Sequence, residues 1–378
     1  MWRFRCKFEV WAAEAGQRLW EALVRRSHII WTKAPKIEYA ASIMYRFELS
    51  DWYRIMKDGK NHIRNVIYDL SRINEWWLLS VGFVLFGFIP YTYIQNGNEF
   101  NAEMFIGLFT SPPIYFVLIV VFSAQIFLFA SNDYFDRSVD ALDPKKRARN
   151  PVSNGSVTLP GVRALLIVTG TIPFIFSMYF GLWPLVFVGI SMFVFFFYTA
   201  PPLRLKNKVV LDVLSHGIFV NTFPYFFCLV VLEDFSMGSV FLLSAIMMRS
   251  TMAQMMQEIR DYDIDRQVER NTVVALGQKR ALWVVFSIYL LLFVSTAALL
   301  LTYELFGWGI PMYYVFILIL CFSFIPIFKK LLEAKDYGRE IEKLWMGQGR
   351  TNRWQVAQYF ASFSIYFAVV FYLLATGY

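Results

Sequence analysis

The sequence predicts an all-α polytopic membrane protein with nine transmembrane helices. Three observations carry this. Of its 378 residues, 57% are hydrophobic, with 39 Phe, 21 Tyr and 12 Trp, more apolar side chain than a soluble chain of this length can bury. That material falls in solid blocks approaching or exceeding the ~18–20 residues that cross a bilayer, whereas a membrane β-barrel would alternate. The Lys and Arg residues collect in every second loop.

The blocks are 76–95, 114–131, 161–181, 183–199, 211–232, 236–256, 281–303, 309–328 and 355–376. The connections near 96–113, 182, 233–238 and 304–310 hold no Lys or Arg. The opposite set is basic: Arg137 to Arg149, then Arg204, Lys206 and Lys208, then Arg260 to Arg280, then Lys329 to Arg353. The positive-inside rule assigns that set to the cytoplasmic side. An odd number of spans then sets the N-terminus inside and the C-terminus on the opposite side.

Residues 1–75 carry 14 Lys/Arg and 9 Asp/Glu, interleaved with Trp2, Phe4, Phe8, Trp11 and Trp20. They read as a basic, amphipathic cytoplasmic segment lying on an anionic leaflet. A docking arm for a protein partner is the alternative. Residues 76–378 form the membrane domain. The net charge of +8 is assigned to membrane lipid and anionic substrate, with no nucleic-acid partner. No signal peptide is expected after Met1. Cys6, Cys228 and Cys321 lie far apart, and His28, His62 and His216 show no ligand spacing. A disulfide framework and a His/Cys zinc site are therefore excluded.

The chemistry collects at two membrane exits. The second block runs into 131-SNDYFDRSVDALDPKKRARNP-151. If its helix continues, Asn132, Asp136 and Asp140 share one face, and so do Asp133, Asp136 and Asp140. Stacked carboxylates repel unless cations neutralise them, a task for 145-KKRAR-149 or a divalent metal. After the sixth block comes 257-QEIRDYDIDRQVERN-271, where Glu258, Asp261 and Asp265 share a face and Asp263 points elsewhere. Both clusters fall on the same side of the membrane. Two hard-oxygen stripes flanked by Arg and Lys suit Mg²⁺ and a diphosphate.

These residues also carry a resemblance. NDYFDRSVD (132–140) resembles the first motif, NDxxDxxxD, of the UbiA-type intramembrane prenyltransferases, and DYDID (261–265) resembles their second, DxxxD. RNPVSNG (149–155) is similar to the family's Arg-Pro…Gly loop, with Asn150 intervening between Arg149 and Pro151. The stretch 198-YTAPPLRLKNKVVLDVLSHG-217 resembles the family's connection between spans 4 and 5. The resemblance covers about residues 70–378 and leaves residues 1–70 unexplained.

It implies nine helices around a central cavity, and Mg²⁺-dependent transfer of a polyprenyl chain from an isoprenoid diphosphate donor to a lipophilic acceptor. The implied metal and diphosphate residues are Asn132, Asp136, Asp140, Asp261 and Asp265. Asp133 matches too, on a helical phase that turns it toward a supporting role. Basic candidates are Arg137, Arg147, Arg149, Arg204, Lys206, Arg260 and Arg266, of which Arg149 and Lys206 are favoured by loop position.

Neutralising the departing diphosphate lowers the barrier to C–O cleavage. The allylic cation left behind needs a dry, apolar and aromatic surround, for which Tyr198 is the candidate wall residue. Asp136, Asp261, Lys206 and Tyr198 are thus the expected catalytic set. Asn74, Asp212 and Asn221 are candidate acceptor contacts, because polar groups within a membrane lean functional. No residue singles itself out as the base. The wording of 141-ALDPKKRARNP-151 and 198-YTAPPLRLK-206 resembles the carotenoid-elongating branch more than the others. An intramembrane terpene cyclase and a cation transporter are the alternatives; transport sites lie nearer the midplane, on broken helices.

Overall fold

The computed structural model describes residues 68–97, 101–302 and 325–344, and among these no strand occurs. The helices are α1 (Ile73–Gln95), α2 (Ala102–Thr110), α3 (Pro112–Asp140), α4 (Pro144–Arg149), α5 (Leu159–Ser177), α6 (Leu182–Thr199), α7 (Leu211–Ser215), α8 (Phe223–Leu232), α9 (Met237–Val268), α10 (Thr272–Leu276), α11 (Gln278–Thr302), α12 (Ile325–Leu332) and α13 (Tyr337–Leu344). Residues 1–67, hence nearly all of the expected N-terminal segment, lie outside the described residues. So do 309–324 of the eighth expected span and all of the ninth.

Four described helices are long and apolar enough to cross a membrane: α1, α3, α5 with the short turn that follows it, and α6. A fifth span arises if the bent pair on either side of residue 221 counts as one. α9 and α11 have 32 and 25 residues, longer than a ~20-residue crossing requires.

Local chemistry explains the boundaries. Pro112 and Pro113 open α3, where the missing N–H costs nothing. Side-chain oxygens cap α5 from Thr158, α9 from Ser236 and α10 from Asn271. The 96–113 connection, expected as a loop, contains α2. Asn101 caps it by accepting from the Met104 amide at 2.9 Å, and Met104 and Leu108 bury its inner face. The expected 211–232 span is broken: α7 runs into a π-helical turn at His216–Val220, and α8 departs at 53°. The wide turn and Pro224 at the start of α8 account for the bend.

α3 packs against α5, α6 and α1, and α9 packs against α11, the π-turn, α10 and α13. One apolar cluster joins α1, α3, α6 and α8 through Val84, Val121, Phe195, Phe223 and Cys228. Another gathers on α9 through Tyr225, Leu242, Met252, Leu282 and Val285. Small residues permit the closest approaches. A Cβ on Gly87 would stand 2.6 Å from Cys228 Cβ, and one on Gly217 would stand 2.3 Å from Thr251 Oγ1. Ile175, Leu182, Trp183 and Phe193 stay exposed, as suits a surface facing lipid.

Candidate active site

α3 and α9 each run past their apolar stretch and bring their acidic ends to one cavity of 370 Å³. α3 contributes Asn132, Asp136 and Asp140, and α9 contributes Glu258, Asp261 and Asp265. Lys146 and Arg149 come from α4, Tyr198 from the end of α6, and Lys206 from the connection after it. Leu128, Phe129 and Val220 supply apolar wall. The continuation of both helices through their motifs is what sets these side chains on common faces.

Each acidic stripe is neutralised by cations, all but Arg260 from other elements. Lys206 Nζ lies 2.7 Å from Asp136 Oδ2, and Arg204 Nη2 lies 3.1 Å from Oδ1. Both also reach Glu269 Oε1, at 2.9 and 3.3 Å. On the other stripe, Lys146 Nζ lies 3.3 Å from Asp261 Oδ2 and 3.4 Å from Asp265 Oδ1. Arg260 Nε lies 2.7 Å from Asp261 Oδ1, and Asn271 donates to Asp265 Oδ2 at 3.2 Å.

Burial works to lower the affinity of Lys206 for its proton, but the Asp136 and Glu269 carboxylates outweigh it and hold the ammonium above the ordinary lysine value. Lys146 behaves likewise, with Asp261 and Asp265 overcoming burial. Burial pushes the Asp265 carboxyl up to about 6, against the pull of Lys146. For Asp261, burial acts upward, and Arg260 and Lys146 more than reverse it.

Several expected residues are placed elsewhere. Asp133 is fully buried and turned away from the cavity, and its Oδ1 pairs with Arg72. Asp212 accepts from the amide and hydroxyl of Thr272, so it fastens the first turn of α7 to α10 and does not line the cavity. Asn221 sits at the bend and is absent from the cavity wall. Asn74 belongs to the first turn of α1, and its side chain falls outside the described residues. The Arg137 guanidinium covers the Tyr134 ring at 4.8 Å. Arg266 pairs with Asp263 at 3.3 Å on an exposed face. Arg149 lines the cavity while pairing with Glu75 of α1.

Other residues of the site were not anticipated. Glu269, Gln254 and Asn271 line the cavity, and Arg72 holds Asp133. Asn150, the interruption in RNPVSNG, is fully buried. Its Nδ2 donates to the Asp133 carbonyl at 3.0 Å and to Asp140 Oδ2 at 2.8 Å, and its Oδ1 accepts from the Val152 and Ser153 amides. Arg72 (φ 48), Arg204 (φ 40) and Val210 (φ 74) occupy the left-handed region, which a non-glycine residue adopts at a cost of ~1–3 kcal/mol. Two of the three hold a motif aspartate. Val210, the third, is held by its amide donating to Thr272 Oγ1 at 2.7 Å.

The donor set is all oxygen, as Mg²⁺ prefers. Among the described residues no three His, Cys, Asp or Glu side chains converge as a ready-made metal site. The acids are instead divided between two walls. That division fits a hard cation that keeps waters and takes one or two carboxylates together with phosphate oxygens from a substrate.

Residues 102–347 match the model of the UbiA prenyltransferase family. The chain belongs to this family. UbiA proteins are intramembrane enzymes, and this UbiA chain shares their fold. It is similar to the structure of a UbiA homologue from Archaeoglobus fulgidus bound to GPP and Mg²⁺, with TM-score 0.52 and 15% identity over 82% of this chain and 99% of that one. It is also similar to a digeranylgeranylglyceryl phosphate synthase structure, with TM-score 0.54 and 16% identity over 84% and 99%. In sequence it is 34% identical over 159 residues to a lycopene elongase/hydratase of Halobacterium salinarum, covering 41% of this chain and 51% of that protein. The Haloferax volcanii lycopene elongase/hydratase is 27% identical over 206 residues, covering 52% and 64%. The UbiA chain thus spans about half to two thirds of the length of these curated relatives.

Proposed function

We propose that this UbiA-family chain transfers a prenyl group from an isoprenoid diphosphate to a lipophilic polyene of the carotenoid type, with Mg²⁺ as cofactor. The observation that carries the reading is the pair of acidic stripes on two walls of one cavity, each interleaved with lysine and arginine. The similarity to two lycopene elongase/hydratases supports the acceptor class.

Asn132, Asp136 and Asp140 on one wall, and Asp261 and Asp265 on the other, would hold the metal. Mg²⁺ bound there supplies charge neutralisation for a leaving diphosphate. Lys206, Arg204 and Lys146 exchange carboxylate oxygens for phosphate oxygens when the donor's head enters, so they bind and orient it. Arg149 closes the same rim. Leu128, Phe129 and Val220 receive the hydrocarbon and exclude water from the carbon that ionises. Tyr198 presents a buried ring to the developing cation. With the basic loops taken as cytoplasmic, the donor's head meets the site from the inner face, and the C-terminus lies on the other side.

The test incubates membranes carrying the full chain with Mg²⁺, labelled geranylgeranyl, geranyl or dimethylallyl diphosphate, and a panel including lycopene, a glycerol ether lipid and an aromatic quinone precursor. Diphosphate release with a prenylated polyene is expected, and chelation should abolish both. Release without a conjugate would indicate a cyclase. No release from any donor would overturn the reading.

A further inference from the structure

Beneath the carboxylate rim lies a second polar layer. Glu258 precedes Asp261 by nearly one turn of α9, about 4–5 Å along the axis and toward the apolar half of the helix, and Gln254 precedes it by another. Gln254 Nε2 donates to Glu258 Oε1 at 2.8 Å and to the Tyr198 hydroxyl at 3.1 Å. Glu258 is only 5% exposed, lines the cavity, and its Oε2 is buried with no hydrogen-bond partner. No ion pair among the described residues includes it.

We propose that Glu258 is the catalytic base that removes a proton from the prenylated acceptor. The proposal rests on the transfer reaction above. A double bond of the polyene donates its electron pair to the prenyl carbon as the C–O bond to diphosphate breaks, and the C–C bond forms. Positive charge then resides on an acceptor carbon. Glu258 Oε2 takes a proton from the adjacent carbon, and the C–H electron pair becomes a new double bond.

The geometry selects this group over its neighbours. Asp136, Asp261 and Asp265 have oxygens occupied by lysine or arginine, whereas Glu258 Oε2 has no partner. An oxygen shut away from water with no donor gains most from binding a proton. Gln254 occupies Oε1 and leaves Oε2 free, and the same amide steadies Tyr198 beside the cation. Water reaching that cation would form an alcohol instead, so the ratio of alkene to alcohol reports on the base directly.

The full chain in lipid nanodiscs is assayed as wild type, Glu258→Gln and Glu258→Asp with Mg²⁺, the three donors above and lycopene. Diphosphate, alkene conjugate and alcohol conjugate are quantified separately. Glu258→Gln should lower conjugate formation by about tenfold to a hundredfold, move the remaining product from alkene to alcohol, and leave donor KM within about threefold. That retained KM shows the variant is folded. Glu258→Asp should keep alkene as the main product. An unchanged rate and ratio in Glu258→Gln would overturn the proposal and assign the proton to the released diphosphate. A large rise in donor KM with no change in ratio would overturn it in favour of a role in holding the donor's head. A wild-type chain that makes no polyene conjugate would overturn the acceptor reading and this proposal together, whereas a wild type whose conjugate is mainly the alcohol, or an unaffected Glu258→Gln beside an active wild type, overturns this one alone.

Discussion

Asn150 Nδ2 stands 2.8 Å from Asp140 Oδ2, so the residue that interrupts the RNPVSNG loop holds a motif aspartate in place. Asn150→Asp removes both donations and sets a second carboxylate against Asp140. It should lower turnover by at least about tenfold and cost about 2–4 kcal/mol of stability. Asn150→Ala, which adds no charge, should be milder. Thermal unfolding and product assays on the two variants decide this, and equal damage from both would remove the electrostatic part of the explanation.

Asp136 and Asp133 are three residues apart and should respond in opposite ways. Asp136→Ala removes a cavity carboxylate and should reduce prenyl transfer by about a thousandfold or more, with the protein still folded. Asp133→Asn strands the Arg72 charge in a buried setting, at a cost of about 3–5 kcal/mol in stability. Its turnover per folded molecule should stay within about tenfold of wild type. Comparing specific activity with melting temperature separates the two, and an inactive but stable Asp133→Asn would restore that residue to the metal set.

Lys206→Met leaves Asp136 and Glu269 with only Arg204 between them. Donor KM should rise and kcat fall, together about a hundredfold or more in kcat/KM. Lys146→Met should weaken the opposite wall in the same way. Normal steady-state kinetics in either variant would mean that the lysine serves only to neutralise acids at rest.

Gly217→Ala tests the close approach of the π-turn to α9. The added carbon collides with Thr251, and the helices must part at a cost of about 1–3 kcal/mol. Because His216, next to it, lines the cavity with its Nδ1 3.2 Å from Ser250 Oγ, activity should fall along with stability. Gly217→Ala combined with Thr251→Ala, which removes the clashing hydroxyl and keeps a good helix former, should recover stability if the clash is the cause.

The legible part of this fold is the part governed by short-range periodicity. The faces shared by Asn132, Asp136 and Asp140, and by Glu258, Asp261 and Asp265, follow from helical spacing alone, and both stripes line the cavity. Asp212 shows the limit. A charge beside an apolar block suggests a ligand contact, but its partner Thr272 is 60 residues away, and only the return of the chain reveals it. Asp133 was harder still, because its role depends on Arg72, which stands outside any motif. The bend near Asn221 is hidden by a continuous apolar run, in which helix and break look alike, and α2 by its nine-residue length between polar and proline-bearing flanks, where a short helix and a loop look alike. Gln254 lies four residues before Glu258 and Glu269 four after Asp265, just past the end of α9, so the same spacing extends the stripe to both, but neither is a motif carboxylate that draws attention to itself.

α3 spans 29 residues, about 44 Å at 1.5 Å per residue, against a hydrocarbon layer of about 30 Å. The surplus length carries its aspartates clear of the oil while the rest of the helix stays immersed. Under the proposed transfer, a long-chain donor anchored there would never have to be lifted out of the bilayer. Extraction would cost about 0.8 kcal/mol for every methylene brought into water, which for a chain of several isoprene units exceeds what a few ionic contacts return. Reaching the head at the surface and leaving the tail dissolved makes the work of capture nearly independent of chain length, so selection among donors falls to the shape of the wall around the first few carbons.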